Sequence, residues 1–236
     1  MRATVRHGLI ITGWDLGELL HERLLMALAA MFTFALPVYL AVAYSSSGAS
    51  SAYIYLWALE SAFAPIFVAS MMMVQAFIAD RDRGILPTLL ATPISNLALF
   101  AGKALPIIVL GLVQGFCGFT VFCLTLWLER PDLLAAANLF ALLLIPLLVV
   151  CTTLVVCGLG IIVVSRTRSP RSASLLLTFS SLGVLTCEFL LGLFLMSDRV
   201  GRLLAPDAVV TQTALGIALL VVAANTYQRE RIIARL

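Results

Sequence analysis

An all-α, polytopic membrane protein with six transmembrane helices is the fold the sequence predicts, on three observations. Apolar residues make up 62% of the 236-residue chain and charged residues only 11%, where a soluble domain averages nearer a quarter charged. Mean hydropathy is +1.09, and several apolar runs exceed the roughly 18 residues that mark a bilayer span. The runs are continuous rather than alternating, which excludes a β-barrel. They leave no room for a separate soluble domain, so residues 1–236 read as one membrane domain.

The elements follow in order. Residues Trp14–Arg23 read as an amphipathic helix, with Asp15, Glu18 and Glu22 on one face and Leu16, Leu19 and Leu20 on another. Such a helix lies in the membrane interface. The apolar stretch Leu9–Thr12 is too short for a signal peptide before Asp15 interrupts it. The predicted spans are Leu24–Tyr44, Tyr53–Ala79, Leu97–Leu128, Leu133–Val164, Ala173–Ser197 and Ala208–Tyr227. The second, third and fourth exceed the roughly 20 residues a bilayer needs, so tilt, kinks or protruding ends are expected. Pro65, Pro106 and Pro146 are natural kink sites within them. The segment Asp198–Asp207 is expected to form a short external helix before the sixth span.

Charge sets the predicted orientation. Twelve of the fifteen Lys and Arg residues fall on one side: eleven on the two terminal segments, residues 80–95 and residues 166–171, and Lys103 near the adjoining end of the third span. Only Arg130, Arg199 and Arg202 fall on the other side. By the positive-inside rule both termini are cytoplasmic, in a multi-pass protein of the cell's inner membrane. The net charge of +3 reflects this asymmetry; the basic residues are dispersed at span ends, so nucleic acid is not a partner.

No hydrolytic site is visible. His7 and His21 are the only histidines, and "HER" at His21–Arg23 is followed by Leu25 where H-E-x-x-H has its second histidine. The stretch Ala101–Leu105 resembles the end of a phosphate-binding loop, but Leu97 stands where the first glycine should be and Ala104 where a magnesium-holding hydroxyl should be. The chain is therefore not expected to be an enzyme or to hold a cofactor or metal. Cys117, Cys123, Cys151, Cys157 and Cys187 all lie in spans, odd in number and in no external loop, so a disulfide framework is not expected. They read as small core residues, the other reading being a soft-metal site that includes Met71–Met73.

The most structured loop is Ala79–Ser95, "ADRDRGILPTLLATPIS". Asp80–Arg83 is a charged stop at the interface, Gly84 permits a sharp turn, and Ile85–Ala91 holds about two helical turns with Pro87 in the first. Pro93 limits continuation. The predicted product is a short helix over residues 84–92, flat on the cytoplasmic face and presenting Ile85, Leu86, Leu89 and Leu90. Those side chains either dip into lipid or insert into a partner's groove.

Here the chain resembles the ABC-2 type transporter permeases. Their pattern between the second and third spans is similar to E-R-E-x-G-T-L-E-x-L-L-x-T/S-P, followed by G-K. This chain reads Asp80-Arg81-Asp82-Arg83-Gly84-Ile85-Leu86-Pro87-Thr88-Leu89-Leu90-Ala91-Thr92-Pro93, then Gly102-Lys103. Weaker likenesses are "ELLHERLL" at Glu18–Leu25, "SRTRSPRSA" at Ser165–Ala173 and "YQRERI" at Tyr227–Ile232. Ile85 stands where the pattern has Thr, and Pro87 where it has Glu; a more apolar, proline-started helix suits a partner of different groove chemistry. The resemblance implies a membrane half of an ATP-driven exporter. Two permease chains, identical or homologous, would pair in membrane lipid, docked on two copies of an ABC ATPase subunit. ATP and magnesium would be bound by the ATPase and none by this chain. Residues 84–92 would be the coupling helix, with Gly84, Ile85, Leu86, Pro87, Leu89 and Leu90 as ATPase-docking residues. Cargo would pass between the two permeases, along the second and fifth spans. The alternatives are a secondary transporter, which should show internal repeats with broken helices, a membrane enzyme, and a structural or sensory subunit.

Two carboxylates fall inside the second and fifth spans, Glu60 and Glu188. An ionisable group at that depth is costly and faces protein or water. Counting from the span ends at 1.5 Å per residue puts both at nearly one level, in the outer third of the bilayer. They read either as a gate or cation-binding pair on the cargo path, or as groups bonded to neighbouring helices that hold the bundle. Pairing of Glu188 with Arg199 would need a break near Gly192. The basic turn Arg166–Arg171 reads as an anchor to anionic lipid or as a second ATPase contact.

Overall fold

A computed structural model describes residues 13, 17, 21, 23–47, 53–63, 66, 71–73, 96–135, 137, 139–167, 169–195 and 200–226. No strand occurs among the described residues. The helices are α1 (Arg23–Ser46), α2 (Ile54–Phe63), α3 (Asn96–Glu129), α4 (Pro131–Ala135), α5 (Leu139–Arg166), α6 (Pro170–Leu195) and α7 (Val200–Thr226). Five of them, α1, α3, α5, α6 and α7, are long and apolar enough to cross a membrane. The second predicted span is described as helix over α2, at Ile66 and at residues 71–73. Gly13, Gly17 and His21 are helical, while the charged and leucine faces expected of residues 14–23 lie outside the described residues.

Succession through the bundle follows from the two main cores. One joins Leu40 and Tyr44 of α1, Ile54, Ala58 and Phe63 of α2, Phe122 and Leu126 of α3, and Ile145 and Leu148 of α5. The other joins Leu99 and Ile107 of α3, Ile161 and Val164 of α5, Ala173 and Leu177 of α6, and Ala223 of α7. The end of α3 and the start of α5 thus share one layer, and the start of α3 and the end of α5 share the other. The helices run alternately up and down, as short connections require. Arg130 caps the first layer; Arg166 and Arg171 border the second.

The centre of the bundle is α5, the most buried of the spans. Its main partner is α7, and two glycines set that approach. A Cβ on Gly158 would lie 2.7 Å from Leu219 Cβ, and one on Gly216 would lie 3.0 Å from Leu154 Cβ, each beside backbone of the facing helix. Without a hydrophobic drive between helices in lipid, such close backbone packing is what holds them together. The outer faces of α6 and α7 keep large apolar side chains exposed, among them Leu175, Phe179, Leu215 and Val221. In lipid that surface is satisfied.

Several helix ends differ from the predicted ones, each for a local reason. The fourth span starts at Leu139 rather than Leu133, because Pro131–Ala135 form a separate short helix, α4. Asp132 folds back onto Arg130, accepting from Nε at 3.0 Å and from Nη2 at 2.9 Å. The fork sits at the junction of α3 and α4, in the charged stretch Glu129–Asp132, and the apolar residues that follow it belong to α4 before α5 begins. The segment expected as a separate external helix instead continues into the sixth span, since α7 is helical from Val200 through Pro206 and Asp207. At the start of α6, Ser169 accepts from the Ser172 backbone N–H at 3.2 Å, with Pro170 next in line. That is an N-cap followed by a proline that has no amide to satisfy. Both α3 and α5 remain helical through Pro106 and Pro146.

One feature of α1 was not foreseen. Met31–Ala35 is a π-helical turn, closed by the Leu36 N–H donating to the Met31 carbonyl. Pro37 follows at once. A proline ring collides with the carbonyl four residues before it, here that of Thr33, and the widened turn accommodates it. The Thr33 hydroxyl is buried there with no hydrogen-bond partner among the described residues.

Candidate functional site

Glu188 lies about 10 Å from the last residue of α6, and Glu60 lies about 9 Å from the first residue of α2, at 1.5 Å per residue. Both distances run from the Arg130 end of the bundle. The two carboxylates line one cavity of about 310 Å³ between α2 and α6. Leu56, Leu59 and Phe63 form its α2 wall, and Leu182, Leu185 and Phe189 its α6 wall. Thr186 adds a hydroxyl, which is spent on the Leu182 carbonyl at 2.8 Å. No Lys, Arg or His is among the described lining residues.

The two carboxylates differ in surroundings. Glu60 is exposed, and it has no hydrogen-bond or ion-pair partner among the described residues. Glu188 is only 3% exposed. Its Oε1 accepts from the Thr152 hydroxyl of α5 at 2.7 Å and from the Gln212 amide of α7. The same amide donates to Thr152 Oγ1 at 3.0 Å. Three helices thus meet at one carboxylate oxygen. Glu188 Oε2 and Gln212 Oε1 are buried with no hydrogen-bond partner among the described residues.

The packing below explains why these groups meet. Gly216 lies one helical turn after Gln212, and Gly158 lies six residues after Thr152. The approach those glycines permit brings the polar faces of α5 and α7 within hydrogen-bond reach. One residue away on each helix, Cys151 Sγ meets Thr213 Oγ1 at 3.0 Å. The break near Gly192 that an Arg199 pairing would require does not occur, because α6 is helical through Gly192 to Leu195.

Thr152 and Gln212 were not foreseen as partners of Glu188. The signal available was each residue's polarity within an apolar run, which does not say which helix it faces. The expected docking residues Gly84, Ile85, Leu86, Pro87, Leu89 and Leu90 lie outside the described residues. Of the basic turn, Arg166 and Arg171 are exposed, and Arg168 lies outside the described residues. Cys157 is buried in the same core as Met73. Among the described residues, no three His, Cys, Asp or Glu side chains converge as a metal site would need. At the Arg130 end, the Arg130 guanidinium hydrogen-bonded to Asp132 holds that carboxyl below the usual carboxylate range, and Asp132 in turn raises Arg130.

Residues 61–186, more than half of the chain, match the family described as ABC-2 family transporter protein. The chain therefore belongs to the ABC-2 transporter family and is a membrane permease of an ABC transporter, a type of subunit without an ATPase site of its own. The match takes in the 80–95 loop and the 165–173 turn, and its two ends stop just short of Glu60 and Glu188. No curated protein matches the chain.

Proposed function

We propose that this permease is one membrane half of an ATP-driven exporter in the inner membrane. Two permease chains pair, each docked through the 84–92 helix on one of two copies of an ABC ATPase subunit that binds ATP and magnesium. Closure of the ATPases moves that helix and reorients the spans, a population shift driven by nucleotide binding. Both termini and the 80–95 loop face the cytoplasm, in keeping with the twelve-to-three distribution of basic residues. The observation that carries the reading is the loop pattern Asp80–Pro93, lying inside the matched stretch 61–186. Glu60 and Glu188, on the second and fifth spans, are assigned to the cargo path, as a gate or a binding pair.

The test is Leu86→Asp with Leu89→Asp. Two charges placed in an apolar groove cost several kcal/mol, a loss of more than a hundredfold in affinity at about 1.4 kcal/mol per tenfold. The ATPase should no longer co-purify with the permease, while the permease still inserts in the membrane. Co-purification at the parental level would refute the docking assignment.

A further inference from the structure

We propose that the cavity between α2 and α6 is a binding site for an organic monocation with an aromatic or short alkyl body, its charge held by Glu60 and Glu188. This deepens the exporter reading and rests on it, because it names the class of cargo the path would take.

Four observations carry it. The cavity, at about 310 Å³, is at the small end of the roughly 300–1,000 Å³ range of ligand pockets. Among the described lining residues, the only polar side chain besides the two carboxylates is that of Thr186, whose hydroxyl already bonds its own helix. Among the described residues no basic side chain lines the cavity, so an anion meets only repulsion from them and a zwitterion gains a partner for one of its charges alone. Glu188 is 3% exposed and lines the cavity, and its Oε2 has no partner among the described residues, while Oε1 is engaged by Thr152 and Gln212. The carboxylate is thus held in place by one oxygen, and the other is buried without a partner among the described residues, in a residue that lines the cavity.

The chemistry narrows further. A calcium-like ion takes six or more oxygen ligands, and magnesium keeps a near-ideal octahedron. Two carboxylates on apolar walls do not replace that shell. A quaternary ammonium or charge-delocalised aromatic cation is weakly hydrated and buries its body against the cavity walls that Leu59, Leu185 and Phe63 line. Phe63 and Phe189 line the cavity, and aromatic rings attract such cations.

The ammonium group could belong to a free small molecule or to the choline headgroup of a lipid. Equilibrium dialysis with radiolabelled benzyltrimethylammonium distinguishes these, using the full-length permease without ATPase in phosphatidylglycerol nanodiscs. The parent should bind saturably. Glu60→Gln and Glu188→Gln should each raise Kd by tenfold or more. Neopentylbenzene, the uncharged isostere, should not compete. Leu182→Trp, an exposed position on the α6 wall, should abolish binding by filling the cavity with both carboxylates intact. Thermal unfolding of each variant identifies any that has lost its fold, and the exposed Glu60 carries the test if Glu188→Gln has. Repeating the measurement in phosphatidylcholine separates the sources: weaker binding means the lipid headgroup occupies the site, unchanged binding means a free cation does. The proposal is overturned if the parent does not bind, if both Gln variants bind as the parent does, or if neopentylbenzene displaces the cation. Because the ATPase is absent, this outcome is independent of the Leu86–Leu89 docking result.

Discussion

Single side chains carry both the strongest and the weakest polar contacts of this bundle. Gln212 supplies one of the two donors to Glu188 Oε1, so Gln212→Leu should destabilise the permease by about 1–2 kcal/mol, the upper range for interhelical hydrogen bonds in membranes. Thr152→Val removes the other donor and should cost a similar amount. Since the two donors share one acceptor and also contact each other, the double variant should fall short of the sum. Unfolding in mild detergent measures all three. Thr33 is the opposite case: its hydroxyl is buried without a partner among the described residues, so Thr33→Val should leave stability unchanged or raise it slightly. The Arg130–Asp132 fork is exposed and should show itself through pH alone. Asp132 has a carboxyl held below its usual range by the Arg130 hydrogen bond. Its contribution is therefore present above the ordinary carboxylate pKa and lost as pH falls through the lower folded value. Asp132→Asn should differ from the parent in thermal midpoint near neutral pH, and the difference should shrink to nothing in acid. A gap that persists at the lowest pH would point to another cause.

Among the elements, the α5–α7 pair is the joint on which the site depends. Gly158→Ala sets a methyl 2.7 Å from Leu219 Cβ and 3.0 Å from the Leu219 carbonyl carbon. The backbones must part, at about 1–3 kcal/mol for overpacking. Gly216→Ala, with 3.0 Å to Leu154 Cβ, should cost somewhat less. Gly183→Ala meets nothing within 4 Å and is the control, expected to be neutral. If the joint positions Thr152 and Gln212, then Gly158→Ala should also weaken cation binding without touching a lining residue. The spans themselves were legible because an apolar run of sufficient length is a direct physical requirement of the bilayer. Three of the five described long spans begin within three residues of the predicted position; α5 begins six residues late, after the short helix α4, and α7 begins at Val200 because the segment expected as a separate external helix is continuous with the span. The π turn before Pro37 was not legible, since proline announces a disturbance but not whether the helix kinks or widens. The common level of Glu60 and Glu188 could be counted from the span ends. The Thr152–Gln212 bridge could not, because it depends on the rotation of three helices about their own axes, which hydropathy does not fix.

At the scale of the whole molecule, the alternation of helices places Arg130 and the 166–171 turn at opposite ends of α5, whose 28 residues reach about 42 Å. That length exceeds the roughly 30 Å hydrocarbon core, so both ends stand clear of it and report orientation separately. Asp132 and Ser169 are exposed, one at each end. With the five native cysteines replaced by Ala, Asp132→Cys should react with a membrane-impermeant maleimide on intact cells, and Ser169→Cys only after permeabilisation. The reverse pattern would overturn the orientation read from charge. Neutralising Arg166, Arg168 and Arg171 to Gln adds a sharper condition. It lowers the basic count on the inner segments from twelve to nine, still against three outside, so the labelling pattern should not invert. Each arginine near an anionic surface contributes about 1 kcal/mol, so what the triple variant should lose is its preference for phosphatidylglycerol, read as the dependence of its thermal midpoint on lipid composition. As an anchor to lipid, the turn is dispensable for ATPase co-purification. Loss of the ATPase from the triple variant, with insertion and labelling unchanged, would instead make the turn a second docking contact beside Leu86 and Leu89.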